Sequence, residues 1–287
     1  MRGKTVIADL WKLTKPGITA LVLVTTAVGF YLGSAGSVEW WHLLQALLGT
    51  GLLAAGTNAL NQYAERGVDS RMKRTRQRPL PAGRLRPSTA LTFAAGISVV
   101  GALHLALTVN LLTAALGVAA LIIYIFVYTP LKRRTELCTL VGAIPGAIPP
   151  MMGWTAASGQ LDLAAWVLFG IVFLWQMPHF YAIAWLYRAD YALAGFPMLP
   201  VVDEEGERTS RQIVVYTIGL LLVSLLTTVL GLTGAIYLFG ALTLGLGFLA
   251  LGLRLAVART GSQARRLFFG SIVYLPVLLV LMVVDKL

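Results

Sequence analysis

Residues 61–79 read NQYAERGVDSRMKRTRQRP, two acids and six Lys or Arg within nineteen positions. Apolar runs of about 20 residues flank this island, at about 41–60 and 88–108. At 1.5 Å per helical residue, runs of about 20 cross the roughly 30 Å of a bilayer's hydrocarbon core. A dense charge cluster between two such runs is a loop between membrane spans. The pattern repeats along the chain, with further apolar segments at about 17–35, 111–129, 137–157, 163–186, 212–231, 234–253 and 267–284. None alternates with period two, which argues against a β-barrel. Backbone groups in lipid need partners within their own segment, so each segment is expected to be a helix. The expected fold is an all-α polytopic membrane protein of nine transmembrane helices, one domain over residues 1–287.

Composition agrees. Of 287 residues 57% are hydrophobic and 12% are charged, against about 25% charged in soluble domains. The single cysteine, Cys138, excludes an intrachain disulfide and a Cys-rich metal site. The net charge of +11 could indicate nucleic acid, but the placement of the charges excludes it. With nine spans, 22 of the 23 Lys and Arg fall on one side, from Arg2, Lys4, Lys12 and Lys15 through to Arg265 and Arg266; Lys286 alone falls on the other. The positive-inside rule then puts the N-terminus in the cytoplasm and the C-terminus outside. The basic start and the small residues at 33–37 resemble a signal peptide. The apolar run is longer than a signal core, so a retained first helix is expected.

The outer turns carry almost no chemistry, so the working face is expected to be cytoplasmic. If the second helix continues past Leu60, Asn61, Glu65 and Asp69 share one face, drifting about 40° and rising about 6 Å per step. Gly67 would weaken that last turn. Oxygen-only ligands at a membrane border suit a hard cation such as Mg²⁺, which commonly holds phosphate as well. Arginine's planar fork matches phosphate oxygens, so the adjoining basic cluster points to a magnesium-bridged polyphosphate. Arg84 and Arg86 read as solvated topology charges, and Asn58 as interhelical packing. The other long loop, 187–211, contains Asp190 and the acidic run Asp203, Glu204, Glu205 and Glu207, read as solvated surface. His179, after the bend expected at Pro178, is ionisable within a span; a hydrogen-bonded core histidine is the alternative. Pro145, Pro149 and Pro150 are expected to bend the fifth span, with Gly142, Gly146 and Gly153 permitting close helix contact.

Five stretches in order carry a resemblance: N-A-L-N-Q-Y-x-E-x-x-x-D-x-x-M-x-R-T-x-x-R-P-L (58–80), Y-T-P-L-K-R (128–133), I-P-G-A-I-P-P-M-M-G-W (144–154), W-Q-M-P-H-F (175–180) and D-Y-x-x-A-G-x-P-M-L-P-V (190–201). The sequence resembles the UbiA-type intramembrane prenyltransferases, and within them the branch that farnesylates haem. The matches run from about residue 12 to 212. The resemblance implies a helical bundle around a central cavity open to the membrane. It implies transfer of farnesyl from farnesyl diphosphate to a vinyl group of haem B, with water adding a hydroxyl, to give haem O for a downstream haem A synthase. Carried over, Asn61, Glu65 and Asp69 occupy the Mg²⁺-diphosphate motif and Asp190 the second acidic motif. Arg74, Arg78, Lys132 and Arg133 would face the diphosphate. His179 would face haem, with axial ligation among its roles, alongside Trp175 and Tyr181. Tyr124 and Tyr128, with Phe180, are candidates to face an allylic cation; membrane-belt or core packing is the alternative for each aromatic. The chain departs from the family pattern at Gly67, where a further carboxylate is usual, and at Ala194, four after Asp190. The second loop is therefore expected either to hold its own Mg²⁺ or to add one carboxylate to a shared site.

Three other readings compete. A UbiA-type enzyme could act on a quinone precursor or chlorophyllide; the motifs at 72–80 and 175–180 weigh against it. A CDP-alcohol phosphotransferase would need D-G-x-x-A-R, which the sequence lacks. An anion transporter would place charge on both sides of a pathway, and the outer side is nearly bare.

Overall fold

The computed structural model describes residues 2–287, with side chains from Val6 onward; the side chains of Arg2 and Lys4, counted above for topology, lie outside the described residues. Among the described residues there is no strand. Thirteen helices follow in order: α1 (Arg2–Leu13), α2 (Pro16–Gly33), α3 (Trp40–Asp69), α4 (Pro87–Thr108), α5 (Leu111–Ile122), α6 (Thr129–Leu131), α7 (Cys138–Ser158), α8 (Leu163–Leu186), α9 (Arg188–Leu193), α10 (Leu199–Val202), α11 (Glu207–Val229), α12 (Ala235–Ala258) and α13 (Gly261–Val284). A π-helical stretch, Ile123–Tyr128, joins α5 to α6 without a break.

Eight helical stretches are long and apolar enough to cross a bilayer: α2, α3, α4, the continuous Leu111–Leu131, α8, α11, α12 and α13. Large apolar side chains such as Leu107, Val229 and Val257 stand exposed on them. Water would penalise that surface; hydrocarbon does not. The segment expected at 137–157 also forms a helix, α7, but it is not one of those eight. Glycine, alanine, proline and threonine take the place of long aliphatic residues there, and most of its side chains are buried between α2, α5 and α8. The fit with α2 is close. A Cβ on Gly153 would stand 1.9 Å from the Thr26 carbonyl oxygen, and one on Gly29 2.0 Å from that of Pro150.

Two features of α2 and α3 position the site. Pro16 at the first turn fixes the φ that a helix needs, and α2 starts from Lys15, which adopts a left-handed conformation with φ 47°. α3 has 30 residues, about 45 Å at 1.5 Å each, so it outruns the hydrocarbon and projects its last turns beyond it. Gly67 does not open that end; the helix continues to Asp69.

The chain's beginning and end meet opposite ends of α2. Gln62 Nε2 donates to the Lys12 and Leu13 carbonyls, at 3.3 and 2.9 Å, just before α2. Lys286 Nζ donates to the Tyr31 and Ser34 carbonyls, at 2.6 and 2.7 Å, at its far end. An ammonium on helix-end carbonyls is favourable through both the hydrogen bonds and the helix dipole. Replacing Lys286 with methionine is expected to cost about 1 kcal/mol, read as a Tm a few degrees lower in detergent. An unchanged Tm would show that the contact contributes nothing.

Candidate active site

Because α3 stays helical, Asn61, Glu65 and Asp69 lie on one face, and all three line one cavity of about 450 Å³. Each faces a cation from another part of the chain. Lys15 Nζ donates to Asn61 Oδ1 at 3.0 Å, Lys132 Nζ to Glu65 Oε1 at 2.7 Å, and Arg78 Nη1 to Asp69 Oδ2 at 2.7 Å. Asn61 Nδ2 donates to Thr129 Oγ1 at 3.2 Å, which fixes which way the amide points. The loop after α3 folds back on itself, with Thr75 Oγ1 donating to the Asp69 carbonyl at 2.8 Å, and this returns Arg78 to the carboxylate. Arg74 stands at the rim, its guanidinium 5.5 Å from the centre of the Tyr187 ring.

The π-helical stretch sets the next wall. π-turns recur at functional sites because the extra residue per turn re-aims side chains. Here Tyr124 and Tyr128 both line the cavity, with ring centres 5.2 Å apart. Lys132 Nζ lies 4.7 Å from the Tyr128 ring centre. Gly142 makes room for that ring; a Cβ there would come 2.5 Å from Tyr128 Cε2. The body of the cavity is apolar, lined by Leu21, Val22, Leu53, Pro149 and Met152. Trp175, Phe180 and His179 from α8 close another side.

Lys15 was read in the sequence only as a topology charge. In the structure its ammonium faces the cavity, and the corner that carries it is held from α3. Asn58 Nδ2 reaches the Thr14 carbonyl at 3.4 Å and Thr19 Oγ1 at 3.3 Å, and Gln62 grips the end of α1. Burial, then the repulsion of Arg78 and Lys132, outweigh the attraction of Glu65 and Asp69, so its pKa falls to about 7. Lys132 goes the other way. Burial opposes its charge, but Tyr128 and Glu65 outweigh it and hold its pKa well above the ordinary lysine value. The one sequence signal for Lys15 is its position directly before Pro16-Gly17, where the first apolar run begins.

Three of the expected site residues do not line this cavity. α8 ends at Leu186 and the chain turns at Tyr187, so Asp190 sits on the separate short helix α9. Arg133 is exposed, on the turn after Lys132. Tyr181 is two residues past His179, about 200° around the helix, and faces Tyr216 of α11, with ring centres 6.4 Å apart. Two surface readings also change. Arg84 is paired with the buried Asp9 at 3.2 Å and so ties the loop to α1. Asp203 accepts from Thr209 N and Oγ1, at 2.7 and 2.8 Å, and caps the start of α11.

The donor set bears on a metal. Among the described residues no three His, Cys, Asp or Glu converge on one point. The chain offers two carboxylates and one amide oxygen, all hard ligands. Asp69 Oδ1 is sealed from solvent with no partner, an orphan of the kind that a cation satisfies. This set fits Mg²⁺, which takes one or two carboxylates and completes its shell with water and phosphate oxygens.

The UbiA prenyltransferase family matches residues 22–273. The chain is 50% identical to the protoheme IX farnesyltransferase of Solibacter usitatus, over 97% of this chain and 98% of that one. It is 46% identical to the protoheme IX farnesyltransferase of Myxococcus xanthus, over 98% and 96%. Among solved structures, a digeranylgeranylglyceryl phosphate synthase superposes with a TM-score of 0.83 at 15% identity, covering 97% of this chain and 98% of the other. A UbiA homologue from Archaeoglobus fulgidus bound to GPP and Mg²⁺ gives 0.67 at 16% identity, covering 96% and 99%. At these identities the structural likenesses speak for the fold alone.

Proposed function

We propose that this chain, a multi-pass membrane enzyme that belongs to the UbiA prenyltransferase family, transfers farnesyl from farnesyl diphosphate to a vinyl group of haem B, giving haem O. One observation carries the reaction class: a single cavity joins a mouth of paired acids and cations to an apolar body. The haem acceptor is supported by relatives of that activity that match this chain end to end. Haem O would then pass to a haem A synthase.

In this reading α7, 21 residues long, is the ninth crossing. An odd number of crossings accounts for the chain's beginning and end meeting opposite ends of α2. The excess of basic residues at the Asn61–Asp69 end supports a cytoplasmic orientation for it.

Asn61, Glu65 and Asp69 would hold Mg²⁺ together with the diphosphate, and the ion, when bound, supplies charge neutralisation to the leaving group. Lys15, Arg74, Arg78 and Lys132 stand where negative charge grows as the C1–O bond breaks and the diphosphate leaves with the electron pair. Tyr124 and Tyr128, which line the cavity, would stabilise the allylic cation through their rings. The apolar body keeps water from C1 while the vinyl π pair forms the new C–C bond. Water then adds to the cation left on the vinyl carbon and releases a proton, which leaves a hydroxyl. Asp190 and Arg133 are assigned to the approach of the diphosphate from the cytoplasm, and Tyr181 to support of α8.

The test uses the purified full chain with haem B, farnesyl diphosphate and Mg²⁺, read by the mass of the haem. A gain of farnesyl plus water, lost on chelation, is expected. An unmodified haem from folded protein that prenylates a quinone precursor or chlorophyllide would overturn the acceptor assignment.

A further inference from the structure

Ser271 of α13 is fully buried against the cavity's α8 wall. Its Oγ lies 2.6 Å from the Phe268 carbonyl oxygen and 2.7 Å from His179 Nδ1. A hydroxyl has one proton, and a carbonyl oxygen can only accept. Both short contacts are hydrogen bonds in one arrangement alone: Oγ–H donates to the carbonyl, and Nδ1–H donates to Oγ. With the proton on Nδ1, Nε2 carries the lone pair. Nε2 has no protein partner, and it is not among the structure's sealed, unpartnered polar atoms. His179 itself lines the cavity.

The ring is also held in place. Trp175 stacks on it at 5.0 Å between centres, and Phe268 lies at 5.2 Å. Trp175 is anchored in turn by Nε1–H donation to the Ser271 carbonyl at 2.8 Å. One residue of α13 thus sets both the tautomer of His179 and the ring that it stacks on. Imidazoles that bind metals characteristically donate their other N–H to an oxygen acceptor, which fixes the tautomer and raises ligand basicity.

We propose that His179 Nε2 is an axial ligand to the iron of the haem substrate, and that Ser271 is the positioning residue that aims its lone pair. The inference rests on haem as the acceptor. It gives the macrocycle one fixed point beside the apolar body, so that its reacting edge can be oriented toward the prenyl chain.

The test titrates ferric haem B into purified full-length protein without farnesyl diphosphate and follows the Soret band. Wild type is expected to give a shifted band with low-spin character. His179→Ala should lose that signature. Ser271→Ala should bind haem about tenfold more weakly with an altered band, at a Tm a few degrees lower because the Nδ1–H loses its acceptor. Ser271→Thr, which keeps the oxygen, should restore both. A wild-type band in His179→Ala sinks the ligation, and a wild-type band and affinity in Ser271→Ala sink the positioning role. Product mass from the same protein preparations, measured after farnesyl diphosphate and Mg²⁺ are added, separates this from the reaction itself. Farnesylated haem from wild type, with a wild-type band in His179→Ala, spares the reaction and rejects the ligand. A wild-type Soret shift without product spares the ligand and rejects the reaction. Neither shift nor product rejects both.

Discussion

Asp69→Asn is expected to lower turnover about a thousandfold while the protein still folds and inserts. Asparagine has the same shape, so the cavity wall is kept and the position of Oδ2 can still accept from Arg78, now 2.7 Å away. What is lost is the charge, together with the one carboxylate oxygen that is sealed and unpartnered, Oδ1. An amide nitrogen there would donate rather than accept, so it would repel a cation. Removing a single preorganised electrostatic contact to a leaving group costs about 10²–10³ in rate, and here the cation's ligand set is impaired as well. The measurement is haem product formed per unit time at saturating Mg²⁺ and farnesyl diphosphate, with the Tm as a control on folding. Activity within tenfold of wild type, at an unchanged Tm, would remove Asp69 from the reaction.

The one-faced spacing of Asn61, Glu65 and Asp69 was legible in the sequence alone, since the i, i+4, i+8 relation needs only a continuing helix. α3 continues, so local geometry sufficed. The helices were legible for a similar reason: about 20 apolar residues in lipid have one way to satisfy their backbone. The ends were read less well. The last span was expected from 267 but starts at Gly261, where Thr260 Oγ1 accepts from Gln263 N; a hydropathy reading stops at Arg265 and Arg266, but a helix need not. What the sequence hid was pairing across the fold. Lys15 lies 46 positions from Asn61, and Lys132 lies 67 from Glu65. No period links such residues, and only the packing of α2, α3 and α6 brings them together. The π-helical stretch was hidden too, because IYIFVY is as apolar as an ordinary span.

Lys15 carries the other large expected effect. Lys15→Met should reduce kcat/KM about a hundredfold at pH 7, the loss expected for removing one charged contact to the leaving diphosphate. Its pH dependence is the sharper test. In the free enzyme the pKa is about 7, lowered first by burial and then by Arg78 and Lys132. A bound diphosphate favours the ammonium, so binding above pH 7 takes up a proton. KM for farnesyl diphosphate should then rise as pH rises from about 7, by up to about tenfold per unit for one proton. The stability of the free protein should move the opposite way. The unfolded chain holds the Lys15 proton up to an ordinary lysine pKa, so between about 7 and about 10 it binds more protons than the folded chain, and folding strengthens as pH rises. Arginine stays charged throughout this range, so Lys15→Arg should flatten the rise in KM while retaining much of the activity. An equal rise in KM for wild type and Lys15→Arg would assign the proton to the substrate and take Lys15 out of diphosphate binding.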